Sequence, residues 1–234
     1  MSQQQVLRVG GVGAILGGVL ILAGNIIHPR ESGQLDDPGT LLAVVADSGI
    51  WVVDNLIIMI GIALLLGAFY GVTHSITGEA GAVWAQVAWG ASIIGVGIGV
   101  VFMLTEATAM SAVAETWAAS SGIDQEMALA AGTALFELSL TLSTAAALFL
   151  FGAAPALVGK AILESDDYPS WLGWVGVIVG LVGIGANLVP IVTGRTTQTG
   201  LVLVPMAIVL ATLWIVYLGV LMWGRSTRVA VGSS

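Results

Sequence analysis

The chain has 234 residues, of which 57% are hydrophobic, 9% charged, 32 glycine and none cysteine, and its formal net charge is −8. Soluble domains carry about 25% charged residues, so an ordinary soluble domain does not fit, and disorder needs the opposite composition. The glycines lack the triplet period of collagen, and the absence of cysteine removes disulfide frameworks, thiolate metal sites and cysteine nucleophiles. There is no basic patch, so nucleic acid is not expected as a partner.

A membrane-spanning helix needs about 20 consecutive apolar residues. Six runs, 9–27, 55–78, 80–105, 138–159, 168–194 and 196–224, contain no Asp, Glu, Lys or Arg. Taking the flanking helix-forming residues with them, the sequence predicts one transmembrane domain over 1–234, with spans at 9–28, 50–74, 80–118, 124–159, 169–194 and 197–224. Helices follow because backbone groups in lipid must pair within their own segment. The runs are continuous, unlike the alternating segments of a barrel. The first span follows Arg8 but no clear A-x-A site follows it, so it reads as a retained helix and not a signal peptide.

The first outer loop, Pro29 to Gly49, carries Glu31, Asp36, Asp37 and Asp47. The third and fourth helices run beyond their charge-free cores through 106–136, which is rich in Ala, Met, Glu and Leu. The only break is Ser120-Ser121-Gly122, where Ser121 and Asp124 suit a new helix start. The fold class expected is therefore all-α: a polytopic bundle of six transmembrane helices, helices 3 and 4 extending into an extracytoplasmic helical hairpin. Its arms would rise roughly 23 Å at 1.5 Å per residue.

Arg8, Lys160, Arg225 and Arg228 fall on one side, against Arg30 and Arg195 on the other. The positive-inside rule then places both termini in the cytoplasm of a cell with this chain in its inner membrane. Trp84, Tyr168, Trp171, Trp174 and Trp223 fall near the cytoplasmic ends and Trp51 near an outer end, as an aromatic belt would. Trp214 is mid-span and reads as a packing residue. Glycine pairs spaced as G-x-x-x-G (Gly13 and Gly17, Gly67 and Gly71, Gly95 and Gly99, Gly176 and Gly180) predict close helix packing.

One constellation carries chemistry. Glu106 and Glu137 are equidistant from the turn centre between Ser121 and Gly122, so an antiparallel hairpin puts them at one height. His28 ends the first helix and Asp54 opens the second at that same outer level, with Asn55 and Asn187 close by. Met103 and Met110 flank Glu106 at i−3 and i+4. His28, Asp54, Glu106 and Glu137 could together bind a divalent transition metal, or two close carboxyls could supply a general acid. The plainer alternative is that equal heights follow from equal bilayer thickness. No cofactor is expected otherwise. His74 sits at the opposite side of the membrane from His28, which argues against a shared haem. Ser139, Thr141, Ser143 and Thr144 form a polar stripe suited to hydrogen bonds within or between helices. No P-loop or G-x-S-x-G elbow occurs.

His28-Pro29 after the first helix, Trp51-Val-Val-Asp54 opening the second, and Tyr168-Pro-Ser-Trp-Leu-Gly-Trp174 opening the fifth accompany the six-helix layout. In these features the chain resembles an uncharacterised family of integral membrane proteins of actinobacterial and haloarchaeal type, grouped as a domain of unknown function. The resemblance implies a prokaryotic inner-membrane bundle of six helices and no particular activity.

The function expected is that of a non-enzymatic binding or accessory protein. It would use an outer-leaflet groove and the hairpin for a lipid, a small ligand, or a membrane partner, a second copy included. A small membrane enzyme with a metal or general-acid site at the outer rim is the alternative, so whether the chain is an enzyme stays open. A transporter or channel is a third reading. The charge-free span centres and the lack of a repeat between helices 1–3 and 4–6 oppose it.

Overall fold

A computed structural model describes residues 1–29, 37–193 and 198–231, with only the backbone described for 198–201 and 228–231. Arg30, Glu31, Asp36 and Arg195 lie outside the described residues, as does the side chain of Arg228.

The described residues are helical, with no strand among them. Helix α1 spans Gln3–Ile27, α2 Pro38–Asp47 and α3 Trp51–Thr73. Helix α4 runs over Glu79–Ala119 and α5 over Ile123–Leu163. Helix α6 spans Ser170–Thr193 and α7 Gln198–Val231. All but α2 are long and apolar enough to cross a membrane, which supports a multi-pass membrane protein. These six pack in chain order, each on the next, and α7 returns to α1. Large apolar side chains such as Leu16, Ile60, Val83, Ile178 and Leu213 are exposed on the outside of this ring. That suits a lipid solvent and would be a liability in water.

Glycine sets the helix spacing. A Cβ on Gly71 would stand 2.3 Å from the Gly10 Cα, and one on Gly180 would stand 2.4 Å from the Ala156 backbone nitrogen. Both contacts are with backbone, so these helix pairs require the missing side chains. Trp214 is buried in the core, and its indole nitrogen donates to the Leu172 carbonyl at 3.1 Å. Trp84, Trp171, Trp174 and Trp223 are exposed, as an aromatic belt requires.

Tyr168 departs from the belt expected of it, since it is buried beneath a clasp at the end of the bundle opposite His28. Its hydroxyl and the Ser75 hydroxyl are 2.6 Å apart, and the Arg225 guanidinium lies 4.5 Å from its ring centroid. Asp167 accepts from the Thr77 backbone at 2.8 Å and from the Thr77 hydroxyl at 3.1 Å, and it lies 3.5 Å from Arg225. Three chain segments are tied together there. His74, also at this end, donates from Nδ1 to the Tyr70 carbonyl at 2.9 Å and stacks on the Tyr70 ring.

Three local features differ from the sequence expectation. The stretch read as a loop from Pro29 to Gly49 contains α2, capped by Asp37 and begun by Pro38. Asp37 accepts from the Gly39 nitrogen at 2.9 Å and from the Thr40 hydroxyl at 3.0 Å. The hairpin turn is made by Gly122 at φ 62°, and the expected cap by Ser121 is absent, since no side chain caps α5. Glycine takes that backbone angle without the steric cost a side chain brings. Asp124 does lie in the first turn of α5, where the helix dipole favours an acid.

The third difference is a widened π turn in each hairpin helix, at Thr105–Met110 in α4 and Leu148–Ala153 in α5. In the first, Thr105, Thr108 and Ser111 return their hydroxyls to the carbonyls of Val101, Leu104 and Ala107 and so compete with the backbone ladder. In the second, Pro155 follows; a proline ring excludes the carbonyl four residues before it, here that of Phe151.

Candidate functional site

The end of α1 at His28, the start of α3 and the adjoining parts of α4 and α5 meet under α2. Leu41, Leu42 and Val45 of α2 pack with Trp51, Met110 and Ala114 into a second small core that roofs this end. Met110 belongs to that roof, whereas Met103 lines the chamber below it. The sequence had both beside Glu106, but the π turn carrying Glu106 and Met110 breaks the i, i+4 register.

The chamber below has a volume of about 260 Å³. Its mouth carries Asn25, His28, Asn55, Glu106 and Ser143, and its depth is apolar, with Ile58, Ile62, Ala146, Ala147, Leu150 and Phe151. Val204 and Ile208 of α7 close the side. A second chamber of about 130 Å³ lies against the roof, bounded by Leu41, Trp51, Phe136, Ser139 and Leu140. The two share His28, Phe102, Glu106 and Ser143.

His28 and Asp54 form the central pair, with Nδ1 2.7 Å from Asp54 Oδ2. Asp54 is fully buried, and its other oxygen accepts from the Asn55 backbone at 2.8 Å. It also lies in the first turn of α3, where the helix dipole favours a carboxylate. A carboxylate at Nδ1 holds a proton there, which leaves Nε2 as the ring nitrogen with acceptor character in the neutral imidazole. The His28 ring lies 4.9 Å from the ring of Trp51. The Trp51 indole nitrogen donates to the Glu106 carbonyl at 2.9 Å, inside the π turn. Trp51 thus locks the histidine and the glutamate segment to one another. The Glu106 side chain is itself buried, with Ser139 beside it.

Asn55 donates from Nδ2 to the Trp51 carbonyl at 2.8 Å. That contact identifies the amide nitrogen, so the remaining atom is the carbonyl oxygen Oδ1, buried and without a protein donor. Ser139 Oγ is likewise buried, with the Glu106 carboxyl as its polar neighbour.

Of the six candidates from the sequence, His28, Asp54, Asn55 and Glu106 come together. Glu137 does not: it is exposed on α5, and the face turned inward there presents Ser139. Asn187 is fully buried on α6 and donates to the Gly183 carbonyl at 2.9 Å, but it lines neither chamber. The metal set of His28, Asp54, Glu106 and Glu137 is therefore not assembled. Among the described residues no group of three or more His, Asp or Glu side chains is placed to hold a metal ion. Trp51, Asn25, Ser139 and Ser143 were not expected as site residues. The serines were visible as a polar stripe, and Trp51 is three residues from Asp54 on the same helix. No family model matches the chain, and no curated protein or solved structure matches it either.

Proposed function

We propose that this protein is a prokaryotic inner-membrane protein that binds a small amphiphilic ligand in the chamber at the outer end of its bundle. The observation that carries this reading is the polarity gradient of the chamber, from His28, Asn55 and Glu106 at the mouth to Leu150 and Phe151 in its depth. Ligand sites are typically apolar hollows with a few convergent polar groups. At about 260 Å³ this one is just below the usual range of roughly 300–1,000 Å³, a size for a short chain or a single ring system. In this reading both termini are cytoplasmic, and the hairpin with its α2 roof stands outside the membrane. The resemblance to uncharacterised six-helix membrane proteins suits the same setting.

Native mass spectrometry of the purified chain tests it. A bound adduct is expected, and Ala146→Phe, which fills the apolar depth, should remove it while thermal unfolding stays cooperative. Absence of any adduct from the native chain and unaltered small-amphiphile binding by Ala146→Phe would overturn the reading.

The His28–Asp54 pair favours a second reading, acid–base chemistry on the bound molecule. A buried acid that orients a histidine is a recurring arrangement for proton transfer. Turnover of a ligand by the native chain but not by His28→Gln would favour the enzyme over the binding protein.

A further inference from the structure

Resting on the binding reading, the character of the ligand's polar end follows from what the mouth offers. The orphaned Asn55 Oδ1 is an acceptor and nothing else, and its amide nitrogen is already engaged by Trp51. Glu106 adds a buried carboxyl at the wall common to both chambers. Ser139 Oγ lines the smaller chamber, where its hydroxyl interacts with the Glu106 carboxyl. The group there whose role is fixed, Asn55 Oδ1, therefore asks for a donor.

Charge points the same way. Asp54 is fully buried behind His28, and Glu106 is buried beside it. A negatively charged head beside these buried carboxyl groups, with no cation to pair it, would be costly to desolvate. Among the described residues, neither chamber is lined by Lys or Arg.

We infer that the ligand is an amphiphile whose polar end donates hydrogen bonds and carries no negative charge, such as a hydroxyl on an apolar chain or ring. Its hydroxyl meets Asn55 Oδ1 in the larger chamber, and its apolar part extends toward Leu150 and Phe151. A buried carbonyl without a donor rejects an isostere that lacks the donor more strongly than an apolar wall rejects an extra methylene.

The full chain in nanodiscs, with empty discs as control, is dialysed to equilibrium against 1-octanol, octyl methyl ether and octyl phosphate. 1-Octanol is expected to bind above the empty discs. The ether should bind about tenfold more weakly, the loss a single hydrogen bond makes. The phosphate should not bind above background. Asn55→Val should weaken octanol to the level of the ether and leave the ether unchanged, a pattern that simple misfolding cannot produce. Asn55→Ala provides the same comparison if Asn55→Val does not fold. Equal binding of octanol and ether, or tighter binding of octyl phosphate, would overturn the inference and leave the binding reading intact. If none of the three binds above the empty discs, the binding reading falls and takes the inference with it.

Discussion

His28 Nδ1 stands 2.7 Å from Asp54 Oδ2, and that contact joins the last turn of α1 to the first turn of α3 at the chamber mouth. Asp54 is fully buried, while the His28 side chain is 23% exposed. Removing the histidine strands a buried carboxyl group; removing the acid leaves a partly exposed imidazole within reach of water. The expected result is asymmetric. His28→Ala should destabilise the protein by about 3–5 kcal/mol, the cost of breaking a buried pair from one side, and Asp54→Asn by roughly 1–3 kcal/mol. Denaturant titration in mild detergent measures both, and equal losses would contradict the assignment.

Trp51 tests the link between the histidine and the π turn. Trp51→Phe keeps a ring against His28 but loses the donor to the Glu106 carbonyl. The loss should be about 1 kcal/mol, with faster amide exchange confined to residues 105–110. Protection unchanged in that turn would mean that the indole does not hold it.

Six helices and the hairpin turn could be read from the sequence because charge is excluded from lipid-facing cores and Ser120-Ser121-Gly122 is the only break between the two long arms. Height along the bundle was readable too, and it correctly brought His28, Asp54, Asn55 and Glu106 to one end. Facing was not. Rotation about a helix axis depends on every intervening residue, and one added residue in a turn shifts the phase by about 100°. The π turn at Thr105–Met110 introduces such a shift, so equal spacing of Glu106 and Glu137 from the turn says nothing of where each points. Helix α2 is too short to stand out by its apolar run, although Asp37-Pro38 has the form of a helix start.

The glycines permit a contrast between two substitutions of the same kind. Gly71→Ala would drive a Cβ to 2.3 Å from the Gly10 Cα, and neither backbone can yield without separating α1 from α3. Gly97 has open space where its Cβ would be. Gly71→Ala should cost about 1–3 kcal/mol as overpacking does, while Gly97→Ala should be neutral or gain up to about 1 kcal/mol from helix propensity. Thermal unfolding of the two variants decides it. A stable Gly71→Ala variant would refute the close approach.

The orientation can be tested with little perturbation because the chain has no cysteine. Ser121 is exposed in the hairpin turn and Asp166 is exposed in the turn between α5 and α6, at the other end of the bundle. With the termini cytoplasmic, a membrane-impermeant maleimide should label Ser121→Cys in intact spheroplasts and Asp166→Cys only after lysis. The reverse pattern would invert the topology. Protection of Ser121→Cys before and after lysis would place the hairpin tip inside the bilayer or a partner.

The clasp around Tyr168 makes a prediction in pH. Burial pushes the phenol above its ordinary value, opposed by the Ser75 hydrogen bond and by Arg225. In the unfolded chain the phenol titrates near the usual tyrosine value of about 10. Below that pH both states keep the proton, and the contribution of Tyr168 is fully present. Above it the unfolded chain releases the proton first, so stability falls as pH rises through the folded value. Tyr168→Phe should be less stable at neutral pH by about 1 kcal/mol, having lost the bond to Ser75. The gap between the two proteins should then narrow as the medium passes about pH 10, because phenylalanine has no proton to release. Denaturant titrations from neutral to alkaline pH measure the gap directly, and parallel curves throughout would show that the buried hydroxyl carries no such linkage.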